Sequence, residues 1–303
     1  MKIGVIGYGN MGSMIVNNIL KLNLLLEDEE LIVSNRHLNK FESLIEEYPD
    51  ENLNITSDNT EIAKSCEKIL ISVETPQFKE VMDEIAPCLN ENTHIIYTCA
   101  GLNFNHIKSF YDGKLSLVIP TLASTVTSNN AISSLSRRKG VTLVKHNSKV
   151  ELQERLFVED LFNEFSYVKK IDNPIYFNEE EDNLHPTDNE LEISTILTSC
   201  APAFLAIMIE KLAQTSSELA KVSKEEAEDM ILKTIIGTAL LKEDQSLSNE
   251  EIINKVATKK GITQEGVDLL DKKLTKINRE LVKCLLNRFD EVKEDMDKTY
   301  LNK

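Results

Sequence analysis

The chain is short of positive charge. Its 303 residues carry 34 Lys and Arg against 50 Asp and Glu, a formal net charge of −16. That balance argues against a surface built to neutralise nucleic-acid phosphates or to lie on an anionic membrane. One local basic pocket for a small anionic cofactor is still compatible with it. Cysteines are few: Cys66, Cys88, Cys99, Cys200 and Cys284 form no C-x-x-C pair and no metal-ligand spacing. Such a scattered, odd set reads as reduced thiols of a cytoplasmic protein rather than a disulfide framework. His37, His94, His106, His146 and His185 make no H-x-x-x-H and no cluster with cysteine, so no metal site is expected. A G-x-S-x-G nucleophile elbow is also absent. No run approaches eighteen consecutive apolar residues, from which no membrane span is expected. The first residues enter Lys2-Ile3-Gly4-Val5-Ile6 directly, without the apolar stretch of a signal peptide.

What is present divides in two. The length exceeds one typical domain and fits two. In the first part, short β-branched runs alternate with amphipathic stretches. Strands are expected at Lys2–Ile6, Leu31–Ser34, Ile69–Val73, His94–Tyr97 and Ser116–Ile119, with weaker ones at Val141–Val144 and Tyr167–Ile171. Helices are expected near Met11–Leu22, Leu38–Tyr48, Asn59–Ser65, Pro76–Leu89 and Phe104–Phe110. Repeated βαβ units with continuously apolar strands predict an α/β fold: a doubly wound parallel sheet covered on both faces over 1–177. Residues 178–192 are dense in Glu, Asp and Asn, carry His185-Pro186 and read as a solvated acidic linker. Over 193–303 the periodicity is helical, at Pro202–Leu219, Lys224–Leu241, Asn249–Ala257 and from Gln264 onward. Val267, Leu270, Leu274, Ile277, Leu281 and Cys284 recur at alternating three and four residues, the narrow stripe of a helix packing along another helix.

Gly7-Tyr8-Gly9-Asn10-Met11-Gly12 is a G-x-G-x-x-G that follows an apolar strand and opens an amphipathic helix. In that context Gly7 permits a tight turn, Gly9 lets a pyrophosphate approach the backbone, and Gly12 lets helix and strand pack closely. The diphosphate would rest on the free N–H groups of the helix start. The next strand ends in Ser34-Asn35-Arg36, where a carboxylate would take the 2′-hydroxyl of NAD. Two small polar side chains and a guanidinium suit a 2′-phosphate instead, which favours NADP, with NADPH preferred over NADH. The alternative for Arg36 is a solvated residue near a helix start.

In the helical half, Thr198-Ser199-Cys200-Ala201-Pro202-Ala203-Phe204 places small residues ahead of a helix. Val256-Ala257-Thr258-Lys259-Lys260-Gly261-Ile262-Thr263 places a glycine turn and a hydroxyl at the start of the last one. Thr263 is expected to cap that helix, and the neighbouring N–H groups could take a carboxylate. For each segment the alternative is a plain helix cap.

These motifs, in order along the whole chain, resemble the pyrroline-5-carboxylate reductase family. Gly7–Gly12 fits its cofactor loop and Ser34-Asn35-Arg36 its S-N-R. Ser72–Gln77 resembles A-V-K-P-Q, Cys99-Ala100-Gly101 resembles A-A-G, and Val118–Thr121 resembles V-M-P-N. Thr198–Phe204 resembles S-G-S-G-P-A-Y and Val256–Thr263 resembles V-A-S-P-G-G-T-T. The resemblance implies reduction of the cyclic imine 1-pyrroline-5-carboxylate to L-proline, and an intertwined homodimer or larger homo-oligomer built by the C-terminal helices. It implies cofactor contacts at Gly7, Gly9, Asn10, Met11, Gly12, Ser34, Asn35, Arg36, Val73, Pro76, Ala100 and Thr121. Substrate contacts are implied at Lys260, Gly261, Ile262, Thr263 and Cys200, with the Thr263 hydroxyl near the ring nitrogen. Departures from the motifs stand at Thr121, Cys200, Ala201, Lys259, Lys260 and Ile262, and Thr75 replaces the lysine before Pro76. The forms S-C-x-P-A-F and K-G-x-T-x-E-G look like a divergent branch tied to late-competence operons of Gram-positive bacteria. A regulatory NADP(H)-binding protein, or a reductase of another imine, is the alternative those departures support.

Overall fold

The computed structural model describes residues 1–49, 52–125, 138–171 and 189–301. Contacts divide the chain into two compact units, Met1–Cys200 with Asn287–Lys303, and Ala201–Leu286.

The first unit alternates strands and helices. Its elements are β1 (Lys2–Ile6), α1 (Asn10–Lys21), β2 (Glu30–Ser34), α2 (Glu42–Glu47), β3 (Leu53–Thr56), α3 (Asn59–Ser65), β4 (Lys68–Ile71) and α4 (Thr75–Ile85). They continue with β5 (His94–Tyr97), α5 (Phe104–Ile107), β6 (Lys114–Ile119), β7 (Val141–His146), α6 (Leu152–Asn163), β8 (Tyr167–Lys170) and α7 (Glu190–Thr195). The eight strands form one sheet in the order β3-β2-β1-β4-β5-β6-β7-β8. Neighbours run parallel except β6 and β7, which pair antiparallel with Val118 opposite Val144. The uniformly parallel sheet expected from the sequence is corrected at this pair. Strands buried on both faces look alike whichever way they run, so pattern alone carries no direction.

Successive side chains leave opposite faces of each strand, and the core is accordingly two layers. Ile69 and Ile71 of β4, and Ile95 and Tyr97 of β5, pack with α3 and α4. Leu70 and Ile96 point the other way and join Ile15, Ile19, Phe41 and Phe162 under α1, α2 and α6. Two elements escaped the sequence reading. β3 is an edge strand with no fully buried side chain, and α6 leaves Leu152 and Leu156 exposed, which breaks its apolar stripe. Of the expected linker, 178–188 lies outside the described residues, while Glu190 to Glu192 open α7.

The second unit holds α8 (Ala201–Leu219), α9 (Lys224–Gln245), α10 (Asn249–Val256) and most of α11 (Ile262–Leu301). Ser223 caps α9 through the Glu226 N–H, and Ser248 with Glu251 forms a reciprocal capping box on α10. Large apolar side chains stay exposed on these helices within the single chain, among them Leu212, Ile236, Leu240, Leu270 and Ile277. The last turns of α11 group with the first unit, where Met296, Tyr300 and Leu301 pack on its core and Asp297 Oδ1 lies 2.8 Å from His106 Nε2. Among the described residues one helical stretch, Glu190–Leu219, is long and apolar enough by length and composition to cross a membrane. No run of eighteen apolar residues occurs in it, because Ser194, Thr195, Thr198, Ser199 and Pro202 interrupt 193–209 and charged residues bound that segment on both sides.

Candidate cofactor site

A cavity of about 680 Å³ opens where the carboxyl ends of β1, β2, β4 and β5 converge. The strand order turns back between β1 and β4, the switch point at which open α/β sheets hold ligands. Gly7, Tyr8, Gly9, Asn10 and Met11 form its floor, and Ser34, Asn35, Arg36, His37 and Lys40 one end. Ser72 to Thr75 and Thr98 to Ala100 form the facing wall.

The glycine loop owes its shape to two close approaches. Gly7 has φ +98°, and a Cβ there would stand 2.3 Å from the Ser72 carbonyl oxygen. Its N–H donates to Ser34 O at 3.0 Å, which ties the loop to β2. A Cβ on Gly12 would lie 1.9 Å from Gly7 O, so strand and helix touch there. Gly9 stands at the amino end of α1 with nothing within 4 Å of where its Cβ would be. No side chain caps α1 and no acidic residue occupies its first turn. Its leading N–H groups therefore present the positive end of the helix to the cavity without an internal competitor.

The far end is a polar network. Ser34 Oγ donates to Asn59 Oδ1 at 2.6 Å, and Asn59 Nδ2 donates to Glu84 Oε2 at 2.8 Å. Arg36 Nη2 donates to Glu80 Oε2 at 2.7 Å. The Asn35 side chain accepts from Tyr8 N–H at 3.5 Å and donates to His37 O at 3.1 Å, which fixes the turn after β2. Among the wall residues, Cys99 is inert: burial pushes its thiol up to about 12, and Sγ donates to Val73 O at 3.2 Å.

Nine of the twelve residues assigned to the cofactor from the sequence line this cavity: Gly7, Gly9, Asn10, Met11, Ser34, Asn35, Arg36, Val73 and Ala100. Gly12 sits behind it as helix–strand contact. Pro76 occupies the first turn of α4, where a missing N–H costs no hydrogen bond, between the lining residues Thr75 and Gln77. Thr121 is buried outside the lining, and its Oγ1 accepts from Ala123 N–H. Tyr8, His37, Lys40, Asn59 and Thr98 line the cavity without having been singled out. The basic run Arg36-His37 with Lys40 was visible in the sequence. Asn59 reaches the site only because β3 returns the chain beside β2.

Cys200 ends a π-helical turn, Ile196–Cys200, and burial raises its thiol. The adjoining Ser199 Oγ donates to Pro120 O at 3.1 Å, so this turn is tied to the end of β6. Within the second unit the expected cap at Thr263 is corrected. The Gly261 N–H donates to Thr258 O at 2.8 Å, and Gly261 O accepts from Glu265 N–H at 3.3 Å. The turn thus closes two residues early, Gly261 holds the cap position, and Thr263 lies in the first turn of α11.

The comparisons with known proteins bear on the whole chain. Residues 188–292 match the family model for pyrroline-5-carboxylate reductase dimerisation, and residues 2–101 match that of NADP oxidoreductase, coenzyme F420-dependent. A pyrroline-5-carboxylate reductase of Methanobrevibacter smithii is 40% identical over 273 residues, covering 90% of this chain and 98% of that protein. The chain belongs to the pyrroline-5-carboxylate reductase family. ComE operon protein 4 of Bacillus subtilis is 21% identical over 271 residues, 89% of each chain. The fold is shared with the pyrroline carboxylate reductase of Plasmodium falciparum, solved with NADP bound, at a TM-score of 0.74, 21% identity and coverage of 97% and 98%. The match to a dimerisation model supports homo-oligomerisation, and the apolar stretch 190–219 falls inside it. Against the family motif, Lys260 replaces a glycine, and the position holds φ +63°. That is a left-handed conformation in which a side chain is strained, so the backbone shape at this position is one that suits glycine.

Proposed function

We propose that the protein reduces 1-pyrroline-5-carboxylate to L-proline, with NADPH as hydride donor. The observation that carries the reading is the uncapped, acid-free start of α1 opening into a cavity that continues to Arg36. Its volume lies in the range of about 300–1,000 Å³ usual for small-molecule sites. Leading N–H groups of α1 suit a diphosphate, and Ser34, Asn35 and Arg36, with His37 and Lys40, suit a 2′-phosphate. Apolar faces of Met11, Val73 and Ala100 would exclude water beside the ring system. Pro76 and Thr121 are assigned to the cofactor through the family motifs.

A bound nicotinamide supplies a hydride for the imine carbon. If the substrate arrives with its imine nitrogen protonated, hydride addition leaves that proton on the amine and needs no acid from the protein. Thr263 Oγ1 would accept the hydrogen bond of that N–H⁺, while backbone N–H groups at Lys260 and Ile262 would hold the carboxylate, and Gly261, whose own N–H is bonded to Thr258 O, would shape the turn between them. Cys200 is assigned to the same substrate. Positioning and electrostatics then carry the rate. We assign 1–177 to the cofactor, 178–192 to a linker and 193–303 to substrate and assembly. The assembly is a homodimer or larger homo-oligomer through the C-terminal helices, and the stretch 190–219 serves that interface rather than a membrane. A cytoplasmic enzyme with a small imino acid as its partner, and no nucleic acid, completes the reading.

The test is NADPH oxidation, followed at its absorbance band, with and without 1-pyrroline-5-carboxylate. Substrate-dependent loss supports the reading; NADPH binding without turnover would favour a regulatory protein or a reductase of another imine, the alternative supported by the departures at Thr121, Cys200, Lys259 and Lys260. Two variants refine it. Thr263→Ala is expected to lower kcat roughly 10- to 100-fold, the scale of about 1.4–3 kcal/mol for a hydrogen bond to a charged group, with NADPH affinity within about twofold. Unchanged turnover would remove Thr263 from the reaction. Arg36→Ala is expected to weaken NADPH about 10-fold or more while leaving NADH nearly unchanged, the loss of a charge-assisted contact. An unaltered ratio of the two affinities would show that the 2′-phosphate binds elsewhere.

A further inference from the structure

Helix α4 sends two carboxylates, one turn apart, onto side chains that line the cavity, Arg36 and Asn59. Glu84 Oε2 accepts from Asn59 Nδ2, and Glu80 Oε2 accepts from Arg36 Nη2 at 2.7 Å. The helix that carries them is held rigidly, because Phe78, Val81, Met82 and Ile85 are buried in the core. Glu80 is itself largely exposed and outside the lining; it reaches the cavity through Arg36, which lines it. β2, meanwhile, ends in Ser34-Asn35-Arg36 and offers no carboxylate of its own.

These facts set up a competition. A guanidinium has one planar fork, and the part of it that binds Glu80 is not available to a phosphate. A 2′-phosphate arriving at Arg36 must displace Glu80 or share the cation with a like charge close by. A 2′-hydroxyl faces no such conflict, since it donates to a carboxylate. In dinucleotide sites that take NAD, an acidic residue after the second strand does this. Here the acid comes from α4, across the cavity mouth.

We propose that Glu80 is a cofactor-selectivity residue, which holds Arg36 and serves the ribose 2′-hydroxyl of NADH, so that the site accepts both nicotinamide cofactors and favours NADPH only modestly. The inference rests on the cofactor reading given above and adds the residue that limits its preference. It requires no movement of the backbone, only rotation of two exposed side chains.

The experiment is titration of NADPH and of NADH into the full-length wild type, Glu80→Gln, Arg36→Ala and the double variant. Glu80→Gln is expected to tighten NADPH about 3- to 10-fold and to weaken NADH severalfold, the scale of single charge contacts at partly exposed sites. In the Arg36→Ala background the gain for NADPH is expected to shrink below about twofold, because the cation both anions compete for is gone. The opposite signs for the two cofactors separate this from a structural defect, which would move both the same way. Parallel changes, or an unchanged NADPH to NADH ratio, would overturn the role of Glu80 while leaving the cofactor reading intact. Failure of the wild type to bind either cofactor would overturn both.

Discussion

Gly12→Ala is expected to lose about a hundredfold or more in NADPH affinity and about 1–3 kcal/mol of stability, the cost of a misplaced site and of overpacking. The added methyl would lie 1.9 Å from the Gly7 carbonyl oxygen, a distance that no side-chain rotation can relieve because both atoms are fixed by backbone. The loop cannot recoil either. The Gly7 N–H is bonded to Ser34 O, and the opposite side of Gly7 abuts the Ser72 carbonyl. Relief must therefore come from α1, whose first turn would move away from β1 and take its N–H groups out of line with the diphosphate. Gly9→Ala is the control. Its Cβ meets nothing within 4 Å, so thermal stability should be kept while NADPH binding falls, because the methyl enters the space the diphosphate approaches. Thermal unfolding and NADPH titration of both variants decide the matter. A Gly12→Ala protein that binds NADPH like the wild type would remove the glycine loop from the cofactor site.

What could be read from the sequence, and what could not, follows a physical line. β1, β5 and α3 were expected with the bounds they have, because continuous apolar runs and amphipathic spacing are local signals; in the structure Asp58 caps α3 by accepting from the Thr60 N–H. β4 ends two residues sooner than expected, and the released Ser72 and Val73 become cavity wall. The glycine loop and Arg36 were legible because their spacing along the chain encodes their chemistry. Glu80, Glu84 and Asn59 were not, since 44 and 25 residues separate the partners Arg36–Glu80 and Asn59–Glu84, and only the sheet order brings them together. The same holds for His106 and Asp297, which meet across 191 residues. Thr263 was placed on the right helix, but the cap moved to Gly261, because an N–H to Thr258 closed the preceding turn early.

Acidification is expected to unfold this protein through its buried histidines. His94 is fully buried at the start of β5, with Nε2 2.7 Å from Ser116 Oγ, which in turn lies 2.6 Å from Nδ1 of His146. Burial, aided by the nearby Lys68, pushes the His94 pKa from its ordinary value down to about 3, and burial lowers His146 as well, against the opposing pull of Glu159. In the unfolded chain such a ring takes a proton near pH 6.5. The folded state therefore keeps its full stability above that pH and loses it as pH falls from about 6.5 towards 3, where the folded ring would also protonate. The slope for His94 alone is about 1.4 kcal/mol per pH unit, or roughly 2–3 kcal/mol at pH 4.5. That is a large share of the 5–15 kcal/mol typical of a folded protein. Urea unfolding of the wild type and of His94→Gln at pH 7.5 and pH 4.5 measures it. The variant should be the less stable at neutral pH, yet lose less on acidification by about that amount; equal losses would sink the argument. None of His94, Ser116 or His146 lines the cofactor cavity. Saturating NADPH should accordingly raise every midpoint by mass action while leaving the difference between wild type and variant intact.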